Sequence, residues 1–328
     1  MKHPYHPFKY LNIPITGVQA YRKVLGTAIL ALLLPLTLSA QENRVNGTLE
    51  EIRMALSAGK PVRANEEVLF KPGNEMFVFT RIGPWMQDSV ETVRSEAVSI
   101  CARLGLKTGE AAFRQEAVRM LVRSCRSGDV SLQGTALNYL TYFLRQDFTR
   151  DACDTIRVML QAPSLHREKL VRLAGFLDLK DQMPFLESLL DQPSTKLQWN
   201  AHLALARMGS ESSATAVLLL VKDYPVDDHI MYHVLPDLVY TRQKAIFGYL
   251  LEILDSDERN CTSPNPYYSG NIPCGYRVME ELAKVVVGFP LKTNKSGEMA
   301  TDDYEKALQT SRKWFGEHKD YGLDRDTY

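Results

Sequence analysis

The sequence predicts an all-α fold: an α-solenoid of stacked antiparallel helix pairs, with a disulfide-stapled loop inserted near its C-terminal end. Three observations predict it. From about Ser89 to Phe289 the apolar residues recur at three- and four-residue steps, the period of a helix and not of a strand. One apolar pattern returns with anchors at Ala97, Ala136, Leu170, Ala201, Val234 and Leu282, in steps of 39, 34, 31, 33 and 48 residues. Proline, glycine and capping residues stand where one helix must stop and the next begin. Such self-similarity describes helix pairs that cannot bury their apolar faces alone.

Residues 1–40 are read as an address. They hold Lys2, Lys9, Arg22 and Lys23 and no acidic residue, followed by the apolar run Val24–Leu38, then Ser39, Ala40 and a polar start. Basic, apolar, then small is the order of a secretory signal peptide. The run spans about 22 Å at ~1.5 Å per residue, short of the roughly 30 Å hydrocarbon core. Cleavage is expected after Ala40 or Ser39, with an uncleaved membrane anchor as the alternative. No cysteine follows the run, so a lipoprotein anchor has no support. After cleavage nothing in the sequence is long and apolar enough to span a membrane. The expected location is the bacterial periplasm or the exterior.

Charge then takes on a different meaning. The full chain has 39 basic and 39 acidic residues, a formal net of zero. The four basic residues of the address leave with it, so residues 41–328 carry 35 basic and 39 acidic residues, a net of −4. That balance gives no support to a nucleic-acid partner, which calls for a basic excess.

The elements follow in order. Residues 47–58 read as an amphipathic helix, with Thr48 and Glu51 in capping-box spacing. Residues 61–74 form a connection turning at Pro72-Gly73, and a first repeat helix runs from Glu75 to Met86. Ser89 is expected to cap the next helix, whose face carries Val93, Ala97, Cys101 and Leu104. The clearest repeat is 183–209. Pro184 suits a first helical turn, and Phe185, Leu186, Leu189 and Leu190 form one face. Pro193 ends that helix and Ser194 caps the next. Leu197, Ala201, Leu205 and Met208 form the second face, and Gly209 stops it in a left-handed conformation. Thr301-Asp302-Asp303 opens a last helix that turns Tyr304, Leu308, Trp314 and Phe315 inward and closes the stack. Residues 290–300 and 322–328 lack periodicity and are expected to be flexible. The organisation is therefore a signal peptide (1–40), an N-terminal helix, connection and first repeat helix (41–88), helical repeats (89–289), and a linker with a capping helix (290–328).

Two stretches resemble the HEAT-repeat family, the short bacterial HEAT-like and armadillo-type α-solenoids. Val93-Arg94-Ser95-Glu96-Ala97, closing with Leu104-Gly105, looks like the second helix of such a repeat, and 183–209 looks like a whole one. The second stretch departs from the pattern, with Leu197-Gln198 where Val93-Arg94 stands in the first. The resemblance implies a binding platform.

Five cysteines are present. Cys261 and Cys274 flank a loop rich in proline and asparagine, and bridging its ends is worth about 3 kcal/mol by loop closure. That insertion accounts for the step of 48. Cys101, Cys125 and Cys153 are out of register with one another and are expected to be reduced.

No motif for hydrolysis, phosphate binding or thiol redox chemistry occurs. His229 and His233 share a helix face after Asp227 and Asp228, a spacing that can chelate a metal. Without a third ligand they read as flanks of a helix capped by an aspartate, which Pro236 then kinks or ends. The loop tyrosines Tyr267 and Tyr268 are candidate contact residues, or else pack back on neighbouring helices. Trp199 either anchors a partner or covers the groove between repeats. The expected function is a non-enzymatic, cofactor-free protein-interaction module in the bacterial envelope, with a protein partner. The alternatives are a metal-binding or lyase-like component using His229 and His233, and a structural spacer with no specific ligand.

Overall fold

The computed structural model describes residues 41–264 and 267–328. The signal-peptide reading lies outside the described residues. The chain divides into two compact units between Arg81 and Ile82, and it is mostly helical.

In the first unit, residues 41–57 (α1) are helical without a break. Thr48 therefore sits inside the helix instead of capping it. Val45, Leu49 and Ile52 repeat at four- and three-residue steps and are buried on one face. A 3-10 turn at Glu66–Phe70 is capped by Asn65. The buried amide of Asn74 donates to the Val68 carbonyl at 2.7 Å and accepts from Gln41 at 2.6 Å. It satisfies groups that burial would otherwise penalise. Helix α2 is Glu75–Ile82, so the helix expected to reach Met86 stops earlier. A separate 3-10 turn follows at Pro84–Gln87.

The second unit continues with α3 (Glu91–Lys107), α4 (Ala111–Ser124), α5 (Val130–Leu140), α6 (Arg150–Gln161), α7 (Arg167–Phe176), α8 (Met183–Ser188), α9 (Thr195–Arg207) and α10 (Glu211–Lys222). A π-turn over Ile230–Val234 leads into α11 (Leu235–Tyr240), then α12 (Lys244–Asp255), α13 (Gly275–Ala283) and α14 (Tyr304–Glu317). Capping explains many of the starts. Asp129, Thr149, Ser194, Ser210 and Asp303 each accept a hydrogen bond from an amide of the first turn. Ser89 does not cap α3. That helix begins one turn-residue later, after Val90, whose amide donates to Asp88.

The contacts follow a regular order. Helix α3 packs on α5, α5 on α7, α7 on α9, α9 on α11 and α11 on α13. The intervening helices make their own sequence, α4 with α6, α10 with α12 and α12 with α14. Ala97, Ala136, Leu170, Ala201 and Leu282 are all buried, as their spacing requires. Val234 is the exception and is only half-buried, while Ile230, Met231, Leu235 and Leu238 carry the core. The cause is the π-turn: the Leu235 amide donates to the Ile230 carbonyl, five residues back. This inserts one extra residue and moves the buried stripe from 234 to 235. Pro236, in the first turn of α11, has no amide to give an α-type ladder.

Gly209 ends α9 at φ +106°, where a side chain would be strained. Gly175 serves a different purpose. A Cβ there would stand 2.5 Å from the Tyr240 hydroxyl and 2.7 Å from Ala204 Cα. Its absence lets α7 and α9 approach closely.

Cys261 and Cys274 are joined, with Cα atoms 5.1 Å apart. The bridge closes a hairpin of β1 (Cys261–Thr262) and β2 (Asn271–Ile272), paired antiparallel. Cys101 and Cys125 are buried free thiols, and Cys153 is half-buried and free.

Candidate functional site

A buried polar cluster of the second unit lies where α7, α9 and the end of α11 come together. Arg207, the last residue of α9, is 1% exposed. Among the described residues no carboxylate pairs with it. Its Nη1 donates to the Tyr240 carbonyl at 2.5 Å, and its guanidinium lies over the rings of Phe176 and Tyr240, at 5.2 and 4.7 Å. Its Nη2 donates to the main-chain oxygens of Thr327 at 2.6 Å and Arg325 at 3.3 Å. Arg242 is also buried, and it adopts a left-handed backbone at φ +51°. Its Nε donates to the Asp324 carbonyl at 2.7 Å, and its Nη2 donates to the main-chain oxygen of Tyr328 at 3.0 Å.

Apart from the Tyr240 carbonyl, these acceptors belong to the stretch expected to be flexible. Residues 322–328 are instead held along their length. Asp324 donates its amide to the Val285 carbonyl at 2.8 Å, and Val287 donates to Gly322 at 3.0 Å. Arg145 donates its amide to the Asp326 carbonyl at 2.8 Å. The Tyr328 ring stands edge-on to Phe176 at 5.5 Å and tilted against Tyr240 at 5.2 Å. Apolar periodicity could not reveal this segment, because main-chain carbonyls and one terminal ring hold it.

Electrostatics reinforce the geometry. Burial pushes the Arg207 guanidinium down to about 10. Burial and the adjoining Arg207 charge push that of Arg242 down to about 9. Two cations pressed together and desolvated need acceptors, and the carbonyls of 324–328 supply them. Arg172 on α7 adds a third cation, stacked on Tyr240 at 3.9 Å and paired with Asp237. A cavity of about 380 Å³ opens beside Tyr328, between Arg172, Arg242, Glu281 and Lys284.

Of the sequence-predicted residues, Trp199 reaches this cluster. Its Nε1 donates to Asp237 at 2.7 Å, so it bridges α9 to α11. The loop tyrosines separate. Tyr267 is 97% exposed, while Tyr268 lies against Gly270 and accepts from Arg259 at 3.5 Å. His229 and His233 are exposed, with ring centroids 5.0 Å apart. Asp227 caps their helix by accepting from the Ile230 amide, and Asp228 accepts from the Thr262 amide, which ties the hairpin down. Among the described residues no group of three His, Cys, Asp or Glu is placed to hold a metal ion. Burial raises the thiols of Cys101 and Cys125, the latter to about 12, so both stay protonated at neutral pH.

A second concavity of about 710 Å³ lies beside the hairpin. Its polar walls are mutually satisfied: Tyr304 donates to Glu280 at 2.7 Å, and Arg277 pairs with the same carboxylate at 3.1 Å.

The arginine cluster escaped sequence reasoning, although one signal was present. Ala206-Arg207-Met208-Gly209 matches Ala102-Arg103-Leu104-Gly105 almost residue for residue. The earlier arginine is half-exposed and sits 3.9 Å from Glu96. Only the later one is covered by another stretch of chain.

Among the described residues no helix is long and apolar enough to cross a membrane. Comparison with known proteins found no matching family model. No curated protein and no solved structure gave a significant match.

Proposed function

We propose that the second unit is a short HEAT-like α-solenoid working as an exported, non-enzymatic protein-interaction module. The order of helix contacts supports the solenoid: each odd-numbered helix from α3 to α11 packs on the next odd-numbered one, as stacked pairs would. The disulfide supports an oxidising compartment. One observation carries the binding role. Arg207 at the end of α9 and Arg242 after α11 converge on residues 324–328 and grip them by their main-chain oxygens, while Arg172 on α7 lies 5.8 Å from the Tyr328 ring centre. A surface built to hold extended chain is the working part of a solenoid binder.

Selection of displayed random peptides on the purified protein tests this reading. It predicts enriched segments whose binding is lost in Arg207→Gln. Absence of any enriched segment, together with no reproducible partner on crosslinking in the native envelope, would leave the spacer alternative.

A further inference from the structure

We infer that the groove of Arg172, Arg207 and Arg242 takes, in trans, an extended segment of the pattern Asp-x-x-Thr-Tyr, and that residues 322–328 are its tethered competitor. The inference rests on the interaction-module reading and names its ligand and its regulation.

The ligand class comes from how 322–328 sits. Tyrosine fills the slot between Phe176 and Tyr240, with Arg172 5.8 Å from its ring centre. Asp324 folds back on the segment itself, accepting from the Asp326 amide at 2.9 Å and from the Thr327 hydroxyl at 3.1 Å. That turn presents the carbonyls of 324, 325 and 327 to Arg207 and Arg242. The pattern therefore specifies shape through Asp and Thr, and anchorage through Tyr.

Exchangeability follows from the same contacts. The arginines grip Asp324, Arg325 and Thr327 mainly through main-chain oxygens, which any chain in this turn can offer; two side chains add to the hold, the Thr327 hydroxyl accepting from Arg242 at 3.3 Å and the Arg325 guanidinium donating to the Arg207 carbonyl. Residues 322–328 are exposed or half-buried, whereas Arg207 and Arg242 beneath them are buried. The segment lies on the groove as a strap and is not part of the core. Arg242 carries its left-handed backbone at this contact, and such conformations gather where a ligand is clamped. The groove is not filled by the segment, since a cavity of about 380 Å³ lies between Tyr328, Arg242, Glu281 and Lys284.

A tethered segment acts at about millimolar effective concentration, and it lowers apparent affinity for any competitor by the fraction of time the groove is open. The test uses the labelled peptide Gly-Leu-Asp-Arg-Asp-Thr-Tyr with the full chain and its Tyr328→Ser variant. The peptide is expected to bind the variant about ten-fold tighter than the wild type. A peptide ending in Ser is expected to bind neither. In a second measurement, excess peptide added to wild type should speed hydrogen exchange at the Asp324 and Val287 amides as the strap lifts. That measurement decides alone if Tyr328→Ser loses its helical circular dichroism. Equal affinity for both proteins, or unchanged exchange at saturating peptide, overturns the inference. If the peptide fails while display-selected segments bind, only this inference falls. If neither binds, the interaction-module reading falls with it.

Discussion

The indole of Trp199 donates to one oxygen of Asp237 at 2.7 Å, and the guanidinium of Arg172 pairs with the other. One carboxylate on α11 thus receives a donor from α9 and a cation from α7. Arg172 has its charge spread over Tyr240 and lies close to Tyr328. The node couples three helices to the strap.

Removing the shared carboxylate should cost more than removing either donor. Asp237→Ala leaves Arg172, whose side chain is 13% exposed, without a counter-ion. A loss of about 3 kcal/mol is expected, at the lower end for a broken buried pair because Asp237 is part-exposed. Trp199→Phe removes one hydrogen bond and keeps most of the packing, at about 1 kcal/mol. Urea unfolding followed by circular dichroism measures both, and equal midpoints for the two variants would dismiss the node.

Gly175→Ala is expected to destabilise by about 2 kcal/mol, in the range for overpacking. The new Cβ meets the Tyr240 hydroxyl at 2.5 Å and the Ala204 backbone at 2.7 Å, and backbone cannot swing aside. Because Tyr240 also walls the slot for Tyr328, the variant should loosen the strap as well. Hydrogen exchange at Asp324 reports that loosening, and a melting point unchanged from wild type contradicts the close approach.

The helix stripes were legible because burial obeys a period. Ala97, Ala136 and Ala201 are small, lie at the helical repeat, and are completely buried. The slip from Val234 to Leu235 was not legible, because a π-turn shows itself only in a hydrogen bond five residues back. Pro236 signalled a disturbance there without saying which kind. The groove was harder still. Arg172, Arg207 and Arg242 stand about one repeat apart in the chain, and each alone reads as a surface cation. Arg207 and Arg242 are covered by residues 322–328, which have no periodicity to betray them. Only Trp199, singled out as a partner anchor or a cover for the groove between repeats, led to the cluster.

The stability of the second unit should fall as the solution is acidified below about pH 6.5, the ordinary histidine value, and His202 should be one cause. Burial lowers the pKa of its imidazole in the folded protein, where it lies 3.3 Å from the Ser213 hydroxyl. The unfolded chain then binds a proton that the folded chain resists. Between the folded and the unfolded value, stability rises with pH and is lost as pH falls. His202→Asn removes the titrating group. Its unfolding midpoint should vary less with pH across that window than the wild type's, and identical pH profiles would clear His202 of the effect.

Reduction of Cys261–Cys274 should lower stability by about 3 kcal/mol, the loop-closure value for a separation of this size. The residues stand 13 apart in sequence. The loss should not be shared evenly. Cys274 immediately precedes α13, while Asp228 holds the Thr262 amide at 3.0 Å. The hairpin therefore keeps one tether, to Asp228 just before the π-turn that leads into α11, after the bridge opens. Reduced protein, or a Cys261→Ser and Cys274→Ser pair, should melt earlier yet still hold the strap, since no strap contact involves β1 or β2. Exchange at Asp324 unchanged beside a lowered melting point is the expected combination. A strap released along with the bridge would show that hairpin and groove form one cooperative unit.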